Sequence, residues 1–197
     1  MPRQVDASQR DREIRAATLR VIARHGVGGV TIRGVAAELG TSTTAITHYV
    51  ATREALLEQA IGQAMEARRK QLDEIVAGAE DPLWAAILWS VDADPDGLWP
   101  VLVAARAAGI EPVVTRLVHE FDEWWTRVIT DLAGGRAAPG LSPPEVADAI
   151  GVVVDGLLLG YGEGSWSPGH RHHLARMLVR PLLADPGSPA RRAVSAS

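Results

Sequence analysis

Residues 31–57, TIRGVAAELGTSTTAITHYVATREALL, constrain the fold more tightly than any other stretch, because they read as two short helices with a tight turn between them and a third helix behind. Thr31 precedes apolar residues at Ile32, Val35, Ala36 and Leu39, the i, i+3, i+4, i+7 spacing of one helix face, and its hydroxyl suits an N-cap. Gly40 follows, where a left-handed residue ends a helix without a Cβ penalty. Ser42 then caps a second helix over about residues 43–49, and the interruption Gly40, Thr41, Ser42 suits the turn of a helix-turn-helix.

Helical rotation in the second helix turns Ile46 and Val50 inward, with Thr43 and Tyr49 at the flanks and Thr44, Thr47 and His48 outward. Short hydroxyls and an imidazole bond base edges or phosphates without bulk that bars entry to a major groove. An ordinary solvated face has the same composition.

The stretch 12–57 resembles the N-terminal domain of the TetR family of bacterial transcriptional regulators. Ile14, Ala17, Gly26, Thr31, Val35, Ala36, Gly40, Ser42, Ile46, Tyr49, Arg53 and Leu56 carry the likeness in matching order. Thr41, Thr47, Val50 and Arg53 depart from the family's usual residues, which leaves base preference open. The resemblance implies a two-fold dimer that presents two reading heads about 34–36 Å apart, or a multiple, to a pseudo-palindromic operator in double-stranded DNA. Thr31, Arg33, Thr43, Tyr49 and Arg53 are then expected mainly to hold phosphates and Thr44, Thr47 and His48 to face bases, with Ser42 a further member of the DNA-binding set.

Charge is divided accordingly. Residues 1–53 hold eight Arg against four acidic side chains, a balance of +4, whereas the remaining chain holds twelve Lys or Arg against twenty acids, −8. The total of −4 therefore conceals a basic N-terminal module on an acidic body, as expected if one end meets phosphate. The absence of Cys excludes disulfides and thiolate metal sites. The start lacks the apolar run of a secretory signal, and the apolar stretch 149–161 is too short to span a bilayer and contains Asp155. A cytoplasmic protein with no membrane partner is expected.

Strand signals are nearly absent. Helices are expected over about 53–76, 82–91, 96–107, 111–133, 143–162 and 169–184, separated by Pro and Gly clusters. The fold expected is all-α: a three-helix helix-turn-helix domain at 1–53, with 1–9 mobile, then a helical ligand-binding and dimerisation domain at 54–184 and a disordered tail at 185–197. The helix from Arg53 would join the modules, its start near phosphate and its later turns in the body.

Six Trp against one Phe and two Tyr is an unusual aromatic choice. Most are core by their spacing, yet rigid aromatic walls also suit an apolar or cationic effector. Trp89, off its helix's apolar stripe, and Trp99, beside the 92–96 loop, are the preferred pocket candidates over Trp84. Trp125, with His119 and Asp122 on the same helix, is a further candidate, as is Asp155, a carboxylate among valines and leucines that is costly to bury unpaired. The helices at 143–162 and 169–184 carry more apolar surface than one core face needs, Val152, Leu159 and Tyr161 among it, and are expected to form the homodimer interface.

Other chemistries have weaker support. His170, His172 and His173 lack nearby carboxylates in sequence, so a solvated helix start is expected there and no metal. Gly160, Gly162 and Gly164 precede no Lys, so they make no phosphate loop. No nucleophile motif or cofactor fingerprint is present, and no enzyme is expected. The expectation is a ligand-responsive DNA-binding regulator, a repressor as the family implies; the alternative is a helical small-molecule binder that no longer reads DNA.

Overall fold

Apolar residues at helical spacing, punctuated by Pro and Gly, give nine α-helices among the described residues, which in this computed structural model are 7–92, 97–160 and 166–184. They are α1 Ala7–His25, α2 Ile32–Glu38, α3 Thr43–Thr47, α4 Arg53–Gly78, α5 Pro82–Asp92, α6 Leu98–Ala107, α7 Pro112–Ala133, α8 Pro143–Leu159 and α9 Pro168–Val179, with 3-10 turns at Val27–Gly29 and Arg180–Leu182. Among the described residues, no helix is long and apolar enough to cross a membrane.

The helix ends follow local chemistry. Leu98 opens α6 because Gly97 before it is left-handed at φ 64°; Asp96, expected inside this helix, lies outside the described residues. The expected helix over 169–184 stops at Val179, since Pro181 has no N–H to donate and its ring crowds the preceding turn, so the chain tightens into a 3-10 turn. Likewise α8 ends at Leu159 on Gly160, φ 53°, and Tyr161, Gly162 and Gly164 fall outside the described residues, as do 1–6 and 185–197. Ala7, Ser8 and Gln9, expected to be mobile, form the first turn of α1.

Contacts divide the chain into two units. One comprises Met1–Lys70 with Asp94–Phe121, the other Gln71–Ala93 with Asp122–Ser197, each over its described residues. In the first, α1 packs on α2, on the Val27–Gly29 turn and on α6, while α2 packs on α3. Ile14, Ala17 and Ile22 of α1, Val35 of α2, Ile46 of α3 and Leu57 of α4 are at most 1% exposed, a core that fixes the helix-turn-helix. Arg20 Nε and Arg24 Nη1 donate to the two oxygens of Glu38 at 2.7 and 2.8 Å and tie α1 to the end of α2. The Arg20 hydrogen bond, then the charges of both arginines, hold the Glu38 carboxyl below the usual carboxylate range.

In the second unit α5, α8 and α9 pack pairwise. Leu83, Ile87 and Val91 of α5 meet a core that also holds Ile129 of α7, Ile150 of α8 and Val179 of α9. Ser142 opens α8 with its N–H and hydroxyl both donating to Glu145 Oε2, at 2.8 and 2.7 Å, ahead of Pro143 at the first helical position.

Candidate nucleic-acid interface and effector residues

The reading helix is seated by its turn. Thr31 Oγ1 accepts from Gly34 N at 2.9 Å and Ser42 Oγ from Ala45 N at 3.2 Å, the two N-caps that the spacing predicts. Between them Gly40, φ 62°, closes α2 as a Schellman motif: its N–H donates to Ala37 O at 3.1 Å and Thr41 N to Ala36 O at 2.9 Å. The capping hydroxyls accept through one lone pair, so their own protons remain able to meet a phosphate oxygen.

Thr43, Thr44, Thr47 and His48 are exposed on or beside α3, and Ile46 and Val50 are 0 and 1% exposed beneath them. Thr47 Oγ1 donates to Thr44 O at 3.2 Å, which uses its proton and turns its lone pairs and methyl outward. A thymine methyl or a base donor suits such a group. α3 itself ends at Thr47, and His48 closes it with its ring edge-on to half-buried Tyr49, centroids 5.3 Å apart. Arg33 is exposed in the first turn of α2.

Arg53 departs from its expected place against phosphate. Its Nε donates to Val30 O at 2.7 Å, and its Nη2 both donates to Val27 O at 2.9 Å and pairs with Glu111 Oε1 at 2.8 Å. The start of α4 is thereby pinned to the Val27–Gly29 turn and to the residue before α7. The Glu111 hydrogen bond raises the Arg53 pKa further, so the guanidinium stays charged at any physiological pH.

The effector candidates separate by environment. In the first unit Trp99 is 6% exposed, tilted on Phe121 with centroids 4.9 Å apart, and Arg68 holds its guanidinium 5.5 Å from the Trp99 ring centre. His119 is exposed. In the second unit Trp125 is 8% exposed and donates its indole N–H to Ser90 Oγ at 3.0 Å, while Ser90 donates onward to Ala86 O at 2.8 Å. That chain satisfies the indole N–H inside the core. Trp89, Asp122 and Asp155 are half-buried. Ser90 is not among the residues the sequence singles out, although a lone hydroxyl on the buried face of α5 marks a position that needs a partner.

Two further placements differ from expectation. His170 and His173 are exposed, but His172 Nε2 meets Asp92 Oδ2, so one of the three histidines is a link between α9 and the end of α5. The apolar face of α8 divides: Ile150, Val154 and Leu157 are buried in their own unit, leaving Val152 at 75% and Leu159 at 48% exposed, seven residues apart on one stripe. Met177 and Leu178 on α9 are 54 and 46% exposed.

Residues 14–60 match the family model described as bacterial regulatory proteins, tetR family. The HTH-type transcriptional regulator PksA of Bacillus subtilis (strain 168) is 36% identical over 75 residues, 38% of this chain, and the match spans 37% of that relative's length. A transcriptional regulator from Saccharomonospora viridis solved with choline has a TM-score of 0.77 at 19% identity, over 90% of this chain and 99% of that one. AibR, solved with isovaleryl coenzyme A and operator DNA, has a TM-score of 0.69 at 15% identity, over 86 and 98%. At such identities the two structures are similar to this chain in fold.

Proposed function

We propose that this chain, which belongs to the tetR family of bacterial regulatory proteins through its residues 14–60, is a ligand-responsive transcriptional regulator that represses from a pseudo-palindromic operator. The observation that carries the reading is the exposed row Thr43, Thr44, Thr47 and His48, held by two N-caps and a Schellman turn over a buried scaffold. Two copies present two such rows to successive turns of the major groove. A small apolar or aromatic effector that binds better to a conformation with mis-spaced heads releases DNA, by no more than its differential affinity for the two states. Proteins of the same fold solved with choline, or with isovaleryl coenzyme A and operator DNA, support a reading in which one such chain meets both a small molecule and DNA. The protein works by binding and not by catalysis, in the cytoplasm where its operator lies.

Selection of genomic fragments by the purified protein at low salt tests the reading directly. Recovery of a common inverted repeat is expected, and recovery of no duplex would overturn it. On the selected site, Thr47→Ala or His48→Ala weakens the preferred base by roughly tenfold while leaving other positions alone. Arg33→Ala instead weakens all sequences alike and lowers the salt slope by about one. A uniform loss from the α3 variants would assign those side chains to phosphate.

The homodimer forms through the exposed stripe of α8 and the outer face of α9. Val152→Glu with Leu159→Glu sets charge into that stripe and raises the dimer dissociation constant by about a hundredfold or more. Sedimentation at micromolar concentration reads the outcome; a dimer mass unchanged by both substitutions places the interface elsewhere.

A further inference from the structure

A cleft of about 240 Å³ opens in the second unit, with Asp81, Trp84, Arg136, Arg176 and Arg180 in its wall and none of the effector candidates among its lining. Its construction is local. After α7 the chain turns at Gly135, φ 71°, and residues 136–138 run antiparallel to 182–184: Ala138 N donates to Leu182 O at 3.0 Å and Ala184 N to Arg136 O at 2.7 Å. This short ladder fixes Arg136 against the end of α9. Arg136 Nη1 then donates to Asp81 Oδ1 at 2.6 Å, and the same oxygen caps α5 by accepting from Trp84 N at 3.2 Å.

Charge in the cleft is unbalanced. Burial works to raise the Asp81 pKa, but the hydrogen bonds from Arg136 and from the Trp84 and Leu83 N–H groups outweigh it, so this carboxylate is ionised and already engaged. Arg136 is neutralised by it. Arg176 instead lies over the Trp84 ring at 5.2 Å from its centroid, and the guanidinium of Arg180, one helical turn further on, makes no hydrogen bond or ion pair among the described residues. Two guanidinium charges therefore stand in the wall of the cleft with Trp84, and among the described residues its one lining carboxylate, Asp81, is taken by Arg136.

We propose that this cleft binds a small planar carboxylate, its anion held between Arg176 and Arg180 and its ring laid against Trp84. A guanidinium fork matches a carboxylate in a bidentate plane, and the indole supplies the flat apolar surface that a ring covers. The volume lies below the usual range for drug-sized ligands, which limits the occupant to about one ring. Its ligand contacts come from α5 and from α9 and its end.

Benzoate added to the full chain is the probe, followed through the indole N–H proton resonance that disappears in Trp84→Phe. Saturable movement of that resonance is expected with benzoate. Benzamide, the neutral counterpart, and inorganic phosphate, an anion without a ring, are expected to bind at least about tenfold more weakly. Arg176→Gln and Arg180→Gln are each expected to weaken benzoate about fivefold or more while leaving the thermal unfolding midpoint in place, because both side chains are exposed. Equal binding of benzamide removes the charge recognition, and equal binding of phosphate removes the aromatic recognition; either overturns the proposal. So does benzoate binding unchanged in both arginine variants, or a sedimentation mass that falls in them, which would give the cleft to a second copy of the chain.

Discussion

Arg53→Ala is expected to lower the unfolding free energy by about 2–4 kcal/mol, through loss of charge-assisted hydrogen bonds rather than loss of a DNA contact. Its guanidinium serves three acceptors, the carbonyls of Val27 and Val30 and the carboxylate of Glu111, at 2.7–2.9 Å. Val27 and Val30 are 3 and 0% exposed, so water does not readily replace the lost donors. Glu111, with its side chain 17% exposed, is left as a poorly solvated anion. Arg53→Lys keeps the charge but not the fork, and recovers only part of the loss. Denaturant unfolding measures the stability, and operator titration at several salt concentrations measures the contact. Weakened DNA binding at an unchanged salt slope is the expected pair of results. Unchanged stability with a slope reduced by about one would return Arg53 to phosphate, as the sequence alone had it.

What sequence could and could not show divides by the range of the interaction. The caps at Thr31 and Ser42, the left-handed Gly40 and the outward row on α3 are all set within a few residues, and local rules read them. The end of α9 is legible on the same terms, since Pro181 stands in the sequence, although Leu182 and Leu183 continue the helical periodicity past it. Arg53 with Glu111, His172 with Asp92 and Trp125 with Ser90 join residues far apart in the chain. Composition and spacing carry no trace of such pairings, because they depend on which helices become neighbours. The same limit explains α8, whose apolar residues all read alike until the packing of α5 and α9 divides them into a buried face and an exposed stripe.

Trp125→Ala is expected to cost about 3–5 kcal/mol, the loss of a large buried aromatic together with the cavity it leaves. The ring is 8% exposed, and a Cβ on Gly151 of α8 would lie 3.5 Å from it, so helix and ring are already at ordinary contact distance and have little slack to collapse. The hydrogen-bond chain separates the ring's packing from its N–H. Trp125→Phe keeps most of the apolar contact, and Ser90 retains its acceptor Ala86 O, so this variant costs about 1–2 kcal/mol. Ser90→Ala strands the buried indole N–H and costs about 1–3 kcal/mol, but much less once Trp125 is Phe, because no donor then needs the hydroxyl. That non-additivity in denaturant midpoints is the signature of a core network. If Trp125 instead walls an effector site, Trp125→Phe leaves stability nearly intact and shifts the effector concentration that releases DNA, and Ser90→Ala adds to it independently.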